Sequence, residues 1–149
     1  MSDRDLAITG FLSRTAHERW TRQIIAADAS SRRYLRLTAG TKTVILMDAP
    51  PETGENIAPF VEIANCLARA GLHPPAILAQ DRQAGLLLLS DLGHDSVAQW
   101  LDQHPTEALP VYRASTDVLI HLVKLPPPAL TRLTPQVAGE MVAITGTHY

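Results

Sequence analysis

The part of the chain best suited to chemistry is residues 28–51, DASSRRYLRLTAGTKTVILMDAPP. Its alternating and β-branched residues predict two strands, with a turn of small residues before them. The consecutive prolines predict where the second strand stops, because proline has no N–H to donate to a sheet. A hairpin of this shape is suited to lie over a nucleotide.

The sequence lacks the motifs that are typical of other catalytic chemistries. The six histidines include no pair at i and i+4 and no cysteine partner, which argues against a metal site. Neither a Gly-x-Ser-x-Gly elbow nor a P-loop occurs. The single cysteine, Cys66, lies on a predicted amphipathic helix, where a packed thiol is favoured over a reactive one.

The composition is that of a globular protein in a reducing compartment. The chain has 149 residues, of which 46% are apolar and 19% charged, and a formal net charge of −2. This charge argues against nucleic acid or an anionic membrane as a partner. No apolar run approaches the ~20 residues that span a bilayer. A lone cysteine fits the cytoplasm, and the length suffices for one domain with a hydrophobic core but not for two ordinary domains.

Apolar periodicity and turn residues predict five strands and five helices. The predicted strands cover residues 20–26, 33–38, 42–47, 75–79 and 85–89. The predicted helices cover residues 2–14, 56–70, 96–103 and 106–125, and a last one starts at Thr134-Pro135. One helix lies between the third and fourth strands, and only helices follow the fifth. The predicted fold class is therefore α+β, with a second, helical layer beginning after Ser96.

The chain resembles the small lobe of a protein-kinase-like fold in four ordered segments, DASSRRYLRL, VILMDAPP, IAPFVEIANCLARAGL and PPAILAQDRQAGLLLLSDLG. More narrowly, it resembles the aminoglycoside phosphotransferase and choline kinase-like family. The most similar subgroup is the bacterial cell-wall amino-sugar kinases, which phosphorylate N-acetylmuramate and N-acetylglucosamine. The resemblance covers roughly residues 20–105 and rests on the order and spacing of the segments.

The resemblance implies an ATP-dependent phosphotransferase, which would transfer the γ-phosphate of ATP, with Mg²⁺, to a hydroxyl of a sugar or aminoglycoside-like substrate. Residues 1–93 would form the nucleotide-binding lobe, a five-stranded antiparallel sheet with one helix. Residues 94–149 would be the first helices of an incomplete large lobe. Nothing in residues 106–149 matches the His-Gly-Asp segment or the metal-binding residues of such kinases. We therefore expect the N-terminal portion of a longer kinase, with no turnover on its own.

The resemblance also implies how the nucleotide is held. The backbone N–H groups of the turn Asp28, Ala29, Ser30 and Ser31 would cover the phosphates. The competing interpretation of this turn is an ordinary polar connection between strands.

Adenine would be read by the backbone of Ser90-Asp91-Leu92, where the hinge of the family lies. Leu89 and Leu92 would form apolar walls for the base. The competing interpretation here is a plain turn from a strand to a helix.

Met47 is the main departure from the family pattern. Kinases of this fold usually carry a lysine there, which holds the α- and β-phosphates. Lys42 cannot replace it, because an odd offset in a strand puts it on the opposite face. Arg32, Arg33 and Arg36 are the candidates to supply the charge, because a guanidinium binds phosphate bidentately.

Arg33 is the arginine that we expect to point inward, because alternation places it on the same face as Leu35 and Leu37. Glu62 lies on the helix whose glutamate normally pairs with the missing lysine. A solvated Glu62 is favoured over a contact with Arg33, and an Arg33 that extends to solvent is favoured over a phosphate ligand.

A function of another class also fits the sequence. The chain would then be a non-catalytic protein-interaction module, or an inactive fragment, that retains the kinase small lobe. Such a module would bind a protein through its exposed helices, and it would not bind ATP.

Overall fold

The computed structural model describes residues 2–27, 31–126, 134–139 and 142. Its strands are β1 (Thr21–Ala27), β2 (Arg33–Ala39), β3 (Lys42–Asp48), β4 (Ile77–Asp81) and β5 (Leu86–Ser90). Its helices are α1 (Asp3–Leu12), α2 (Ala58–Arg69), α3 (Val97–Gln103) and α4 (Ala108–Val123), with 3₁₀ turns at Pro51–Thr53 and Pro105–Glu107. Residues 135–139 are also helical. This order confirms the predicted α+β class.

The five strands form one antiparallel sheet in the order β1-β2-β3-β5-β4. The β2–β3 hairpin is in register from Arg33 opposite Asp48 to Ala39 opposite Lys42. Gly40 lies in its turn with φ +59, a left-handed conformation that glycine adopts without a Cβ clash. The predicted pairing of these two strands is therefore confirmed.

Each face of the sheet is covered by a helix, which creates two separate apolar layers. The layer on the side of α1, here called the α1 face, contains Ile8, Phe11, Leu12, Leu37, Val44, Leu46, Leu86 and Leu88. The layer on the side of α2, here called the α2 face, contains Met47, Ala49, Ile57, Val61, Leu87 and Leu89. Alternate residues of β3 and β5 thus enter opposite layers, as the period of two in a strand requires.

The end of β3 is held close to the turn before β5. The Ala49 N–H donates to the Gly85 carbonyl at 2.9 Å. Gly85 has φ +65, and a Cβ built there would lie 2.0 Å from the Ala49 carbonyl oxygen. Glycine is therefore required at this position both for its conformation and for the space.

Most predicted boundaries differ from the observed ones by one or two residues, and three of these differences have a local physical cause. β4 begins at Ile77 and not at Pro75, because a proline has no N–H for the ladder. α2 begins at Ala58, although the Asn56 side chain does accept the Ala58 N–H at 2.8 Å. The long helix α4 begins at Ala108 and not at residue 106, since Thr106 lies within the 3₁₀ turn that precedes it.

The helices after β5 are attached loosely to the rest of the described chain. Neither α3 nor α4 has a buried side chain within the ranges described. Their large apolar residues are exposed: Val97, Trp100, Leu109, Tyr112, Val118, Leu119, Ile120 and Val123. His121 Nε2 of α4 lies 3.0 Å from the Ala70 carbonyl oxygen after α2. No helix among the described residues has the length and apolarity needed to cross a bilayer.

Candidate functional site

A cleft of about 250 Å³ opens on the α2 face, where β5 ends. It is lined by Ile25, Tyr34, Arg36, Ile45, Phe60, Pro75, Leu89, Ser90, Asp91, Leu92 and Gly93. Most of these side chains are apolar or aromatic. A concave apolar surface with a few polar groups at its rim is typical of a small-molecule site.

Strand alternation and register build the wall of the cleft. Arg36 of β2 alternates with Leu35 and Leu37, which pack on the α1 face. Arg36 lies opposite Ile45 of β3, and Ile45 lies opposite Leu89 of β5. Three neighbouring strands therefore each contribute one side chain to a row across the α2 face.

Arg36 is the centre of a hydrogen-bond network at one end of this row. Its Nε and Nη2 donate to the two carboxylate oxygens of Asp91, at 2.6 and 3.0 Å. Nη2 also donates to the Gly93 carbonyl at 2.9 Å. Nη1 lies 2.6 Å from Nδ1 and 3.0 Å from Nε2 of His94, and Nη1 is the donor in this contact because arginine has only donors.

These donors keep the Asp91 carboxyl ionised. Burial by itself would raise the pKa of Asp91, but hydrogen bonds from the Arg36 side chain, from the Gly93 N–H and from Thr43 outweigh it. The pKa of Asp91 therefore lies below its usual value. At neutral pH the pair is a guanidinium with a carboxylate, which is the strong, charge-assisted form of the contact.

Residues 90–93, here called the hinge, combine fixed and free backbone groups. The Ser90 N–H donates to the Ala76 carbonyl at 2.9 Å, and the Ala76 N–H donates to Ser90 Oγ at 2.8 Å. By contrast, neither the N–H nor the carbonyl of Leu92 has a hydrogen-bond partner in the described part of the chain. One donor and one acceptor at the rim of the cleft are therefore available to a ligand.

The cleft brings together the residues predicted to contact adenine, Leu89, Ser90, Asp91 and Leu92. Leu89 is buried, whereas the Leu92 side chain is 69% exposed. Leu89 therefore forms part of the cleft wall, whereas Leu92 lies at the rim of the cleft.

The predicted phosphate-covering turn is described only from Ser31, which is exposed. Outside the described residues lie Asp28, Ala29 and Ser30. The next residue, Arg32, pairs with Glu55 at 2.6 Å, and this hydrogen bond raises the pKa of Arg32. The described end of the turn is thereby tied to the segment that leads into α2.

Met47 lies in the core and not among the side chains that line the cleft. It is fully buried, in the apolar layer that contains Ile57 and Val61. A lysine at this position would place a charge in a dry layer, which is costly without a partner. The methionine is therefore consistent with the packing of α2 on the sheet.

The structure corrects the orientation expected for Arg33. Arg33 does share a face with Leu35 and Leu37, but this is the α1 face, across the sheet from the cleft. Its Nε and Nη2 donate to Asp48 Oδ2 at 3.0 and 2.5 Å. Asp48 is fully buried and also accepts from Arg4 Nε of α1 at 2.6 Å.

Glu62 is exposed on α2, whose buried side is formed by Val61 and Ala64. It makes no ion pair within the described ranges and none with Arg33, in agreement with the solvated carboxylate that the sequence favoured. The physical reason is that Arg33 and α2 lie on opposite faces of the sheet.

Sequence reasoning kept Arg36 only as one of three candidate arginines, and it passed over Tyr34, Ile45 and Gly93. A signal for Arg36 was present in the hairpin. Met47 and Ile45 share a face of β3, and Ile45 lies opposite Arg36. Residues opposite each other in a hairpin share a face, so Arg36 lies on the same face as Met47. Arg33, three positions away, lies on the other face.

Comparison with known proteins gives one family. Residues 21–142 match the model of the phosphotransferase enzyme family. The chain is 45% identical to the N-acetylmuramate/N-acetylglucosamine kinase of Pseudomonas aeruginosa over 100 residues, which are 67% of this chain and 29% of that protein. It is 32% identical to the kinase of the same name from Caulobacter vibrioides over 157 residues, covering 88% of this chain and 43% of that protein.

A third relative, the N-acetylmuramate/N-acetylglucosamine kinase of Pseudomonas putida, is 39% identical over 101 residues, or 68% of this chain and 29% of that protein. The chain therefore spans less than half the length of each of these relatives. The matches confirm the resemblance inferred from the four sequence segments. They also agree with a kinase-like small lobe made of the five-stranded antiparallel sheet and α2.

Proposed function

The chain belongs to the phosphotransferase enzyme family, and we propose that it forms the ATP-binding lobe of a small-molecule kinase. The reaction would transfer the γ-phosphate of ATP to a sugar hydroxyl. N-acetylmuramate and N-acetylglucosamine are the first substrates to test, because the relatives are named for them. Residues 1–93 would carry the nucleotide lobe, and residues 94–149 would begin a second, helical lobe.

The observation that carries this proposal is the apolar cleft beside the free backbone groups of Leu92. An adenine ring has two apolar faces and an edge that alternates donors and acceptors. The faces suit walls such as Ile45 and Leu89, and the edge suits a backbone N–H and carbonyl. Because a buried polar edge that stays unpaired is costly, this combination favours a base over a purely apolar ligand.

The size of the cleft suits the base and not the whole nucleotide. Its volume of about 250 Å³ is below the ~300–1,000 Å³ typical of complete small-molecule pockets. The triphosphate would therefore extend beyond the cleft wall. The turn at residues 28–31 is the proposed cover for the phosphates, because its small residues would let backbone N–H groups approach an anion.

Mg²⁺ would accompany ATP in such a reaction, neutralising charge on the phosphates. Within the described ranges no three His, Cys, Asp or Glu side chains come together in a way that would hold a metal ion. We assign no metal ligand and no metal-dependent step to this chain. Its proposed share of the reaction is to bind and orient the nucleotide.

ATP binding measured by isothermal titration calorimetry tests the proposal. Leu92→Pro removes the free N–H, whereas the matched control Leu92→Ala keeps it and removes an exposed side chain. Loss of one such hydrogen bond is expected to weaken ATP binding by about tenfold, and Leu92→Ala should change it by about threefold or less. The absence of ATP binding by the unaltered chain, or equal losses in the two variants, would overturn the proposal.

A further inference from the structure

The Arg36 network joins two segments that are far apart in the sequence. Arg36 lies on β2, and Asp91 follows β5, 55 residues later. Because β3 runs between these strands, the guanidinium reaches past Ile45 to the hinge. The hinge is thereby fixed to the wall of the cleft as well as to its own strand.

Most hydrogen-bond donors of the Arg36 guanidinium have partners within the protein. Nε donates once and Nη2 twice, to Asp91 and to the Gly93 carbonyl, while Nη1 faces His94. The Arg36 side chain is 10% exposed and that of Asp91 4%. Arg36 is therefore not free to bind a phosphate through Nε or Nη2, and its partner is the hinge itself.

Gly93 is held by the same network through both of its backbone groups. Its N–H donates to Asp91 Oδ1 at 2.9 Å, and its carbonyl accepts from Arg36. The φ of +100 that this requires is accessible to glycine. Leu92 lies between Asp91 and Gly93, so the directions of its unpaired N–H and carbonyl are set by two anchored neighbours.

We propose that Arg36 is a positioning residue that orients the hinge backbone for reading the edge of the nucleobase. This inference rests on the proposed function, because it presupposes a nucleotide in the cleft. Adenine presents an amino donor where hypoxanthine presents a carbonyl acceptor, and the neighbouring ring nitrogen changes from acceptor to donor. A correctly oriented Leu92 backbone discriminates between these edges, whereas the apolar walls accept both bases.

The experiment compares the dissociation constants of ATP and inosine triphosphate by calorimetry. Arg36→Met keeps an unbranched stem of similar bulk and removes every guanidinium donor. The double variant Arg36→Met with Asp91→Asn also removes the carboxylate, so that no buried charge is left unpaired. Arg14→Met is the matched control, because it breaks another Arg–Asp pair, with Asp81, on an exposed surface away from the cleft.

We expect the unaltered chain and Arg14→Met to prefer ATP over inosine triphosphate by about tenfold or more. In Arg36→Met and in the double variant this ratio should fall to about threefold or less, mainly through weaker ATP binding. A merely structural role for Arg36 would weaken both nucleotides equally and leave the ratio unchanged.

An unchanged ratio in either Arg36 variant overturns the inference while the proposed function stands. If Arg36→Met does not fold, the double variant decides the question. If the unaltered chain binds neither nucleotide, the proposed function fails and the inference fails with it.

Discussion

Two arginines of β2 pair with aspartates on opposite faces of one sheet, and the surroundings of the two pairs differ. On the α1 face, Arg33 and Arg4 converge on the fully buried Asp48. On the α2 face, Arg36 binds Asp91 beside the cleft. The first network joins a helix to two neighbouring strands. The second joins a strand to the hinge and leaves a free backbone edge next to it.

The difference shows that arginine holds a helix against the sheet on one face and contacts the hinge beside the cleft on the other. The positions of Arg33 and Arg36 differ by three, an odd offset, so the strand directs the two side chains to opposite faces. On the α1 face the aspartate is fully buried beside the apolar layer that α1 covers. The comparison therefore predicts that variants of the α1-face network change stability, whereas variants of the cleft network change nucleotide affinity and selectivity.

The largest expected effect on stability is that of Asp48→Ala. Removing this carboxylate leaves Arg4, whose side chain is 15% exposed, without its partner. Breaking a buried ion pair from one side costs about 3–5 kcal/mol, and we expect a loss of that order in the free energy of unfolding measured with urea. Arg14→Ala is the control, since it breaks the Arg14–Asp81 pair from its 65% exposed side and such pairs contribute about 0–1 kcal/mol.

A loss below about 1 kcal/mol for Asp48→Ala would show that the α1 face does not depend on this carboxylate. The contrast between the two faces would then have to be drawn from packing alone.

The second prediction concerns the cleft network and the dependence of the unfolding free energy on pH in the acid range. Asp91 has a folded-state pKa below its usual value, so its contribution to stability is present above the unfolded pKa of ~3.9 and is lost as the pH falls through the lower folded value. Urea unfolding at successive pH values below about 5 should therefore show a steeper loss for the unaltered chain than for the double variant Arg36→Met with Asp91→Asn.

Parallel curves for the two proteins would contradict this assignment. Asp81 and Asp5 also have lowered pKa values, but they are present in both proteins. Their effects therefore cancel in the comparison.

The β2–β3 hairpin and the strand that precedes residues 90–93 were predictable from the sequence because their signals are local. Alternation, the Gly40 turn and the prolines after Asp48 define the hairpin within one short segment. The run of leucines ending at Ser90 likewise identified the strand that leads to the hinge. These features depend on neighbours in the chain, and the structure agrees with them.

The identity of the cleft arginine was not predictable in the same way. Alternation states which residues share a face, but it does not state which face carries the cleft when both are covered. Leu35 and Leu37 were apolar because α1 covers them, not because they line the cleft. Ile25, Phe60 and Pro75 come from separate elements, and only the tertiary fold brings them to the same cleft.

The smallest expected effect is that of Arg33→Met, and it tests the comparison most directly. Arg33 is 45% exposed, and Arg4 remains to neutralise Asp48, so the unfolding free energy should fall by only about 1 kcal/mol. ATP affinity and the ratio of ATP to inosine triphosphate should both stay within about twofold of the unaltered chain, because the sheet separates this guanidinium from the cleft. A loss of ATP affinity of about tenfold would instead restore Arg33 as a phosphate ligand. The two faces of the sheet would then share one function, and Arg36 would no longer be the arginine that distinguishes them.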